Sequence, residues 1–167
     1  MTRLIILLSA AAISALGFAG ATSAAATLPF NVSMTVDAQT LPGGCCSTST
    51  TSVPTSVVVP GVGRATLTAR LFVCGVTYCF PNGSSLLSLR FVTPSGDTFL
   101  IFGTGTGSLA LPESAGTWSV SSASTGRFAR ASGAGTYTAS VIVTAPGSGG
   151  PAPSELTFSL NGTITRR

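Results

Sequence analysis

Apolar and polar residues alternate along most of this chain, and a period of two is typical of half-buried β-strands. Leu67, Ala69 and Leu71, for example, occupy every second position within the segment 65–73. Helical periodicity is almost absent after residue 26, so the pattern predicts an all-β protein. About eight strands are expected, at 28–37, 56–60, 64–74, 84–93, 98–103, 115–122, 135–144 and 154–165.

Residues that favour turns lie between these segments. Pro94-Ser95-Gly96-Asp97 combines a fixed φ with a glycine that tolerates positive φ. It therefore predicts a hairpin that brings Phe91 and Phe99 close together. Asn161-Gly162 has a similar composition, but too little chain follows it for a full return strand, and a β-bulge is expected there instead.

Two segments lack the alternation and are predicted to be loops. Residues 38–54 are polar and contain two cysteines, while residues 145–153 are rich in proline and glycine. The first segment is longer than most connections in compact domains, so we expect something to tether it.

Antiparallel strands of this number and length can close a β-barrel, whose narrow interior is filled by side chains or by one small ligand. A β-sandwich is compatible with the same strands. The predicted fold is thus an antiparallel barrel of about eight strands, with the sandwich as the alternative.

The N-terminus has the three parts of an export signal: Arg3, an apolar run over 4–18, and the small residues Ala24-Ala25-Ala26. The apolar run is shorter than the roughly 20 residues that a membrane-spanning helix needs, which favours a cleaved leader over an anchor. We therefore expect a signal peptide at 1–26, with cleavage after Ala26 or after Ala24. Residues 27–167 would form a single secreted domain with no membrane attachment.

The chain contains eight arginines, no lysine, no histidine and four acidic residues, and its formal net charge is +4. The arginines are dispersed except for Arg166-Arg167, so no basic stripe of the nucleic-acid-binding type is present and no nucleic acid is expected as a partner. Abundant alanine, glycine and arginine without lysine are typical of a GC-rich bacterial genome.

Four cysteines in an exported chain predict two disulfides. Cys45 and Cys46 are adjacent, and a bond between neighbours needs a strained ring, so each is expected to pair with one of Cys74 and Cys79. Both of the resulting pairings remain open. The two bonds would tether the polar loop and contribute about 3–4 kcal/mol in the chain-entropy model. The spacing of Cys74 and Cys79, together with the lack of histidine, argues against a metal or redox site.

The missing residue types exclude several chemistries. Without histidine, no serine or cysteine triad and no imidazole metal ligand can form, and without lysine no Schiff base can form. Asp37, Asp97, Glu113 and Glu155 remain for proton transfer, but no spacing among them predicts a catalytic pair. The glycine pattern at 105–110 is not followed by a helix, as a dinucleotide site requires. We therefore assign no catalytic residue, cofactor or metal.

Three aromatic residues are candidates for lining a cavity in the barrel. Trp118 is the only tryptophan and shares a strand face with Val120, which favours a core position. Tyr137 and Phe128 are the residues that would join it if the barrel were hollow.

The segment 124–137 contains Gly126-Arg127-Phe128-Ala129 and ends in Gly135-Thr136-Tyr137. It resembles the glycine-rich signature of the allene oxide cyclase-like and dirigent-like β-barrel superfamily, which includes secreted bacterial members. The resemblance covers about one-tenth of the chain. It implies a passage between two barrel strands with the aromatic side chain turned inward. Arg130 departs from the signature, which has glycine there, and a positive φ would be unfavourable for it.

Two functions are compatible with this sequence. The first is a non-enzymatic, secreted, disulfide-stabilised barrel that binds a small apolar ligand or serves as a surface component. The second is a cyclase-like, isomerase-like or dirigent-like enzyme that steers a reactive intermediate within the barrel cavity. The interior volume and its polar lining distinguish them, since a barrel packed solid would leave a structural role. The oligomeric state has no signal in the sequence.

Overall fold

A computed structural model describes residues 25–42, 48–74, 83–107, 113–145 and 150–166. These residues form nine strands and one short 3-10 turn, and the all-β prediction is confirmed. The strands are β1 (Ala26–Pro42), β2 (Thr48–Ser52), β3 (Thr55–Val59), β4 (Gly63–Cys74), β5 (Ser84–Val92), β6 (Thr98–Gly107), β7 (Glu113–Val120), β8 (Ser132–Val143) and β9 (Ala152–Arg166). The 3-10 turn spans Gly126–Phe128. No helix in this part of the chain is long and apolar enough to cross a bilayer.

The sheet closes into an eight-stranded antiparallel barrel. The hydrogen-bonded order is β2-β1-β9-β8-β7-β6-β5-β4-β3, and β2 also pairs with β4. Closure therefore runs through β2, which lies between the upper parts of β1 and β4. β3 is the additional strand, and it pairs with the first half of β4. The predicted barrel is confirmed and the sandwich alternative was wrong. β2, at one end of the sheet, also pairs with β4 near the other end, and this pairing closes the sheet.

The two ends of the barrel can be defined from the strand directions. The lower end contains the first residue of β1, the turns 60–62 and 93–97, the connection 121–131 and the last residue of β9. The upper end contains the last residues of β1, β4, β6 and β8 and the first residues of β2, β5, β7 and β9. These labels are used below.

The predicted hairpin at Pro94 is confirmed. Gly96 has φ +86, and the amide of Thr93 donates to the carbonyl of Asp97 at 2.9 Å. Phe91 and Phe99 are directly paired, with ring centroids 6.1 Å apart. A tight turn followed by a glycine of positive φ is a common three-residue hairpin connection.

The predicted loop at 38–54 was partly wrong. β1 continues to Pro42, and Thr48–Ser52 forms β2. Apolar alternation did not show this strand because the side chains that β2 buries are those of Thr50 and Ser52. Hydrogen bonds to neighbouring hydroxyls satisfy such groups inside a protein, so a strand can bury them without an apolar face.

The bulge expected at Asn161-Gly162 was also wrong. Both residues keep regular register with β1 on one side and β8 on the other. A Cβ at residue 162 would lie 2.3 Å from the carbonyl oxygen of Ala134 and 2.6 Å from Cζ2 of Trp118. Glycine is therefore present because the tryptophan ring and the next strand approach closely, and not because the strand is interrupted.

Candidate functional site

The lower half of the barrel interior is filled with aromatic rings. Phe99 lies at the centre, with its ring centroid 5.2 Å from that of Phe128, 6.0 Å from that of Phe30 and 6.1 Å from that of Phe91. Trp118 packs edge-on against Phe30 at 5.5 Å. All five side chains are at most 2% exposed. This part of the interior is occupied by the protein's own side chains.

The turn between β3 and β4 covers the lower end. Val59 and Val62 are both 1% exposed and belong to the core. Arg166 donates to the carbonyl of Gly61 at 2.8 Å, and Arg127 donates to the carbonyl of Val62. The guanidinium of Arg127 also lies 4.8 Å from the centroid of the Phe128 ring. Two arginines thus fix the turn over the aromatic core.

The upper half of the interior contains hydroxyl groups instead. The hydroxyl of Thr40 lies 2.8 Å from that of Thr50 and 2.7 Å from that of Ser154, which joins three adjacent strands. Ser52 accepts a hydrogen bond from the amide of Ala69 at 2.8 Å. These four polar residues are at most 9% exposed. Hydroxyl pairing offsets the cost of removing them from water.

Tyr137 marks the boundary between the two halves. Its hydroxyl lies 2.9 Å from that of Ser85, and the residue is 2% exposed. Burial raises the pKa of Tyr137 above its ordinary value of 10.0, while the hydrogen bond with Ser85 opposes that rise. The phenol is therefore protonated at neutral pH and is a poor general base.

Two buried polar atoms in the described interior have no hydrogen-bond partner. They are Oγ of Ser114, in the upper half, and Nε1 of Trp118. A Cβ at Gly107 would lie 2.5 Å from that Ser114 oxygen, so the backbone of β6 packs directly against it. Orphaned groups of this kind lower stability by about 1–3 kcal/mol each unless they acquire a partner.

The three aromatic candidates from the sequence are all core residues. Trp118, Tyr137 and Phe128 are at most 2% exposed, which confirms the core position favoured for Trp118. Phe128 points inward from the connection between β7 and β8, as the family resemblance implied. Arg130 lies in the same connection without a positive φ, because every positive φ in the described chain belongs to a glycine. None of the three aromatic residues lines the open cavity described next.

An open cavity of about 610 Å³ lies on strands β6 to β9, toward the upper end. Its lining consists of Thr106, Gly107, Glu113, Ser114, Ala115, Thr138, Ala139, Ser140, Thr157, Phe158 and Ser159. Ala139 and Phe158 belong to the core. Since neighbouring residues of a strand point to opposite faces, Thr138, Ser140, Thr157 and Ser159 project from the outer face. The cavity is therefore a concavity of the outer barrel wall.

Hydroxyl pairs order the β9 side of this cavity. The hydroxyl of Thr157 lies 2.8 Å from that of Thr35, and the hydroxyl of Ser159 lies 2.9 Å from that of Ser33. Each hydroxyl has one hydrogen to donate and two acceptor lone pairs, so a single bond leaves further capacity. These hydrogen bonds therefore orient the side chains of Thr157 and Ser159, and their hydroxyls can still form a further hydrogen bond with a ligand.

The charged residues of the described chain are mostly distant from this cavity. Glu113 is the one ionisable residue among the described residues of its lining. Arg64, Arg70 and Arg90 lie on β4 and β5, on other strands of the barrel wall. Asp97 lies in the lower hairpin, where its carboxylate is 3.7 Å from Nε of Arg127. Among the described residues, no group of three acidic, cysteine or histidine residues could hold a metal ion.

The cysteines are only partly described. Cys74 ends β4, is fully buried and is not a free thiol. Cys45, Cys46 and Cys79 lie outside the described residues, as does most of the signal peptide predicted at 1–26. β2 begins with Thr48 paired to Val73, so the chain returns beside Cys74 immediately after the segment that holds Cys45 and Cys46. The two possible pairings remain a prediction.

Sequence reasoning missed the outer cavity. In the sequence, the threonines and serines at alternate positions of β8 and β9 indicate only that each predicted strand has a polar face. A polar face does not show whether the sheet is convex or concave at that point, since curvature depends on how strands are paired.

Comparison of the chain with known protein families, with curated proteins and with solved structures gives no match. The class defined by this structure is therefore an antiparallel β-barrel, and membership of the allene oxide cyclase-like superfamily stays a prediction.

Proposed function

We propose that this chain is an exported, disulfide-stabilised β-barrel that acts by binding a small ligand at its outer cavity. The observation that carries the proposal is the cavity of about 610 Å³ on β6 to β9, which has the volume of a small-molecule site. Its hydroxyl groups supply several converging polar contacts, and hydrogen bonds to β1 already order two of them.

The packing of the barrel favours binding at the outer wall over catalysis within the lumen. A cyclase-like or isomerase-like enzyme needs interior space and a polar group aimed at the substrate. The described interior instead holds five packed aromatic rings below Tyr137. Tyr137 is hydrogen-bonded with Ser85, and its raised pKa keeps the phenol protonated at neutral pH, so no free base is present there.

Export and oxidation form part of the proposal. β1 begins at Ala26, and its ladder with β9 begins with Ala26 opposite Arg166. Cleavage after Ala24 would keep this strand whole, whereas cleavage after Ala26 would remove its first pair. We therefore expect a mature protein that starts at Ala25. Intact-mass measurement of the protein from culture medium checks the cleavage site, and alkylation without a reductant should label no cysteine.

A nuclear magnetic resonance screen tests the binding function. The ¹⁵N-labelled protein is mixed in turn with neutral sugars, short fatty acids and aromatic alcohols. Amide shifts confined to the cavity residues of β6 to β9 would support the proposal. Shifts centred on the interior residues Leu87, Phe91 and Tyr137 would overturn it in favour of a lumen site, and an unperturbed spectrum with every probe would leave a structural role.

A further inference from the structure

We infer that the outer cavity is a saccharide site, which takes a neutral, polyhydroxylated ligand about the size of a disaccharide. This inference rests on the proposed binding function and adds the chemical class of the ligand. Four arguments support it: the kind of polar group in the described lining, its ordering, the local charge, and the cost of covering hydroxyls with an apolar ligand.

The polar side chains of the lining are almost all hydroxyls. Thr106, Thr138, Ser140, Thr157 and Ser159 each both donate and accept hydrogen bonds. Sugar hydroxyls have the same dual character, so each protein hydroxyl can match a ligand hydroxyl in either direction. A ligand with only acceptors or only donors would leave part of this capacity unused.

The hydroxyls occur on adjacent paired strands and therefore form a regular array. Thr138 is opposite Ser159, and Ser140 is opposite Thr157. Paired residues in neighbouring strands lie about 5 Å apart, and successive outward residues of one strand about 7 Å apart. Hydroxyls at such spacings can contact several positions of one or two sugar rings. The bonds from Thr35 and Ser33 hold the β9 members in place, which lowers the entropy cost of binding.

The charge of the lining disfavours anions. Glu113 is the one carboxylate there, and no arginine of the described chain lines the cavity. An ionised carboxylate is a pure acceptor and can receive hydrogen bonds from two neighbouring hydroxyls of a sugar. It would repel a carboxylate or phosphate, so neutral or cationic sugars fit better than acidic ones.

An apolar ligand would match only part of the described lining, which exposes both hydroxyl groups and apolar surface. Among the described lining residues, the apolar side chains are those of Ala115, Ala139 and Phe158, and the last two are at most 4% exposed. An apolar molecule would have to remove several hydroxyls from water without giving them partners, which is costly. For this reason we infer a polyhydroxylated ligand at this cavity in place of the apolar ligand expected from the sequence.

Titration with defined sugars tests the inference. Maltose, cellobiose, N-acetylglucosamine and glucuronate are added separately to the ¹⁵N-labelled protein, with decanoate as the apolar probe. We expect at least one neutral sugar to shift amides of β6 to β9, and glucuronate to bind more weakly. For that sugar, Thr138→Val and Thr157→Val should each weaken binding about fivefold to tenfold, since each removes one hydroxyl while keeping the side-chain shape.

Matched controls separate hydroxyl loss from general damage. Thr66→Val changes an outward threonine of β4, on another part of the wall, and should leave affinity unchanged. Thr138→Ser retains a hydroxyl and should keep most of the binding. Glu113→Gln should reduce the discrimination against glucuronate. Thermal unfolding of each variant shows whether it is folded.

The outcomes distinguish this inference from the proposed function. If decanoate shifts the cavity amides and no sugar does, the saccharide assignment is wrong while binding at the cavity stands. If sugars shift amides elsewhere, or if the valine variants bind as well as the parent protein, the saccharide assignment is also wrong. If no probe perturbs any described residue, both proposals fail.

Discussion

The two halves of the barrel interior are stabilised by different means. In the lower half, aromatic rings centred on Phe99 pack together beneath a turn that Arg127 and Arg166 hold. In the upper half, the buried groups include hydroxyls that pair across adjacent strands, as Thr40 does with Thr50 and Ser154. Apolar packing has little directional requirement, whereas hydroxyl pairing needs a narrow range of distances and angles.

This difference explains how the two ends tolerate change. A ring removed from the lower half leaves a cavity that neighbouring rings fill only in part. A hydroxyl removed from the upper half takes one hydrogen bond from a partner that stays buried. The stability lost on removing a ring increases with the volume of the cavity left behind. The stability lost on removing a hydroxyl depends on whether its hydrogen-bond partner is replaced at the same time.

The largest effect is expected for Phe99→Ala, which removes the central ring of the lower half. We expect unfolding to become easier by about 3–5 kcal/mol, because Phe99 is fully buried and touches three other rings. Urea denaturation followed by tryptophan fluorescence measures the change. Phe102→Ala is the control, since Phe102 lies on the same strand, faces outward and is 49% exposed. Equal losses in the two variants would contradict the description of the lower core.

A smaller and non-additive effect is expected in the upper half. Thr40→Val should cost about 1–3 kcal/mol, because buried Thr50 loses its bond with Thr40 while Ser154 keeps its bond to the carbonyl of Ala152. The triple variant Thr40→Val, Thr50→Val, Ser154→Ala should cost less than the three single changes added together, since no hydroxyl of the trio is then left unpaired. Additive costs in urea denaturation would show that the hydroxyls do not act as one network.

The smallest effect is expected at the boundary residue, and it depends on pH. Burial raises the pKa of Tyr137 in the folded protein, so the neutral phenol stabilises the fold fully below pH 10.0 and less as the pH rises through the raised value. Tyr137→Phe should cost about 1 kcal/mol at pH 7 through the lost bond with Ser85. The urea midpoint between pH 8 and 12 is the measurement.

Above about pH 10, the parent protein should lose stability faster than Tyr137→Phe does, because the phenylalanine variant has no proton to lose at that position. Ser119→Ala, a change at an exposed serine of β7, provides a control that should follow the parent at every pH. Parallel pH profiles for the parent and Tyr137→Phe would contradict the raised pKa.

The sequence predicted the apolar half of this structure well. Leu87, Leu89 and Phe91 alternate with polar neighbours, and all three are at most 1% exposed. The hairpin at Pro94 could also be predicted from local sequence, because proline fixes φ and glycine allows a positive φ at known turn positions. Patterns of this kind depend on residues close together in the chain, and so they can be read without a structure.

The polar half could not be predicted in the same way. β2 buries Thr50 and Ser52, and their burial is favourable only because Thr40 and the amide of Ala69 are brought to them by other strands. The outer cavity likewise depends on how β6 to β9 curve together. Gly162 is apparent in the sequence, but the structural requirement for glycine there is not. The ring of Trp118, which is 44 positions away along the chain, packs against it in space.

Closure of the wall through β2 has a mechanical consequence. β2 has five residues, whereas the ladder between β1 and β9 extends from Ala26 to Thr40. Local unfolding costs least where the fewest hydrogen bonds must break, so transient opening of the barrel should begin at β2. Amide hydrogen exchange should therefore be faster at β2 than at β9. The disulfide predicted from Cys45 or Cys46 to Cys74 would connect this short strand to the end of β4, and it should make such openings rarer.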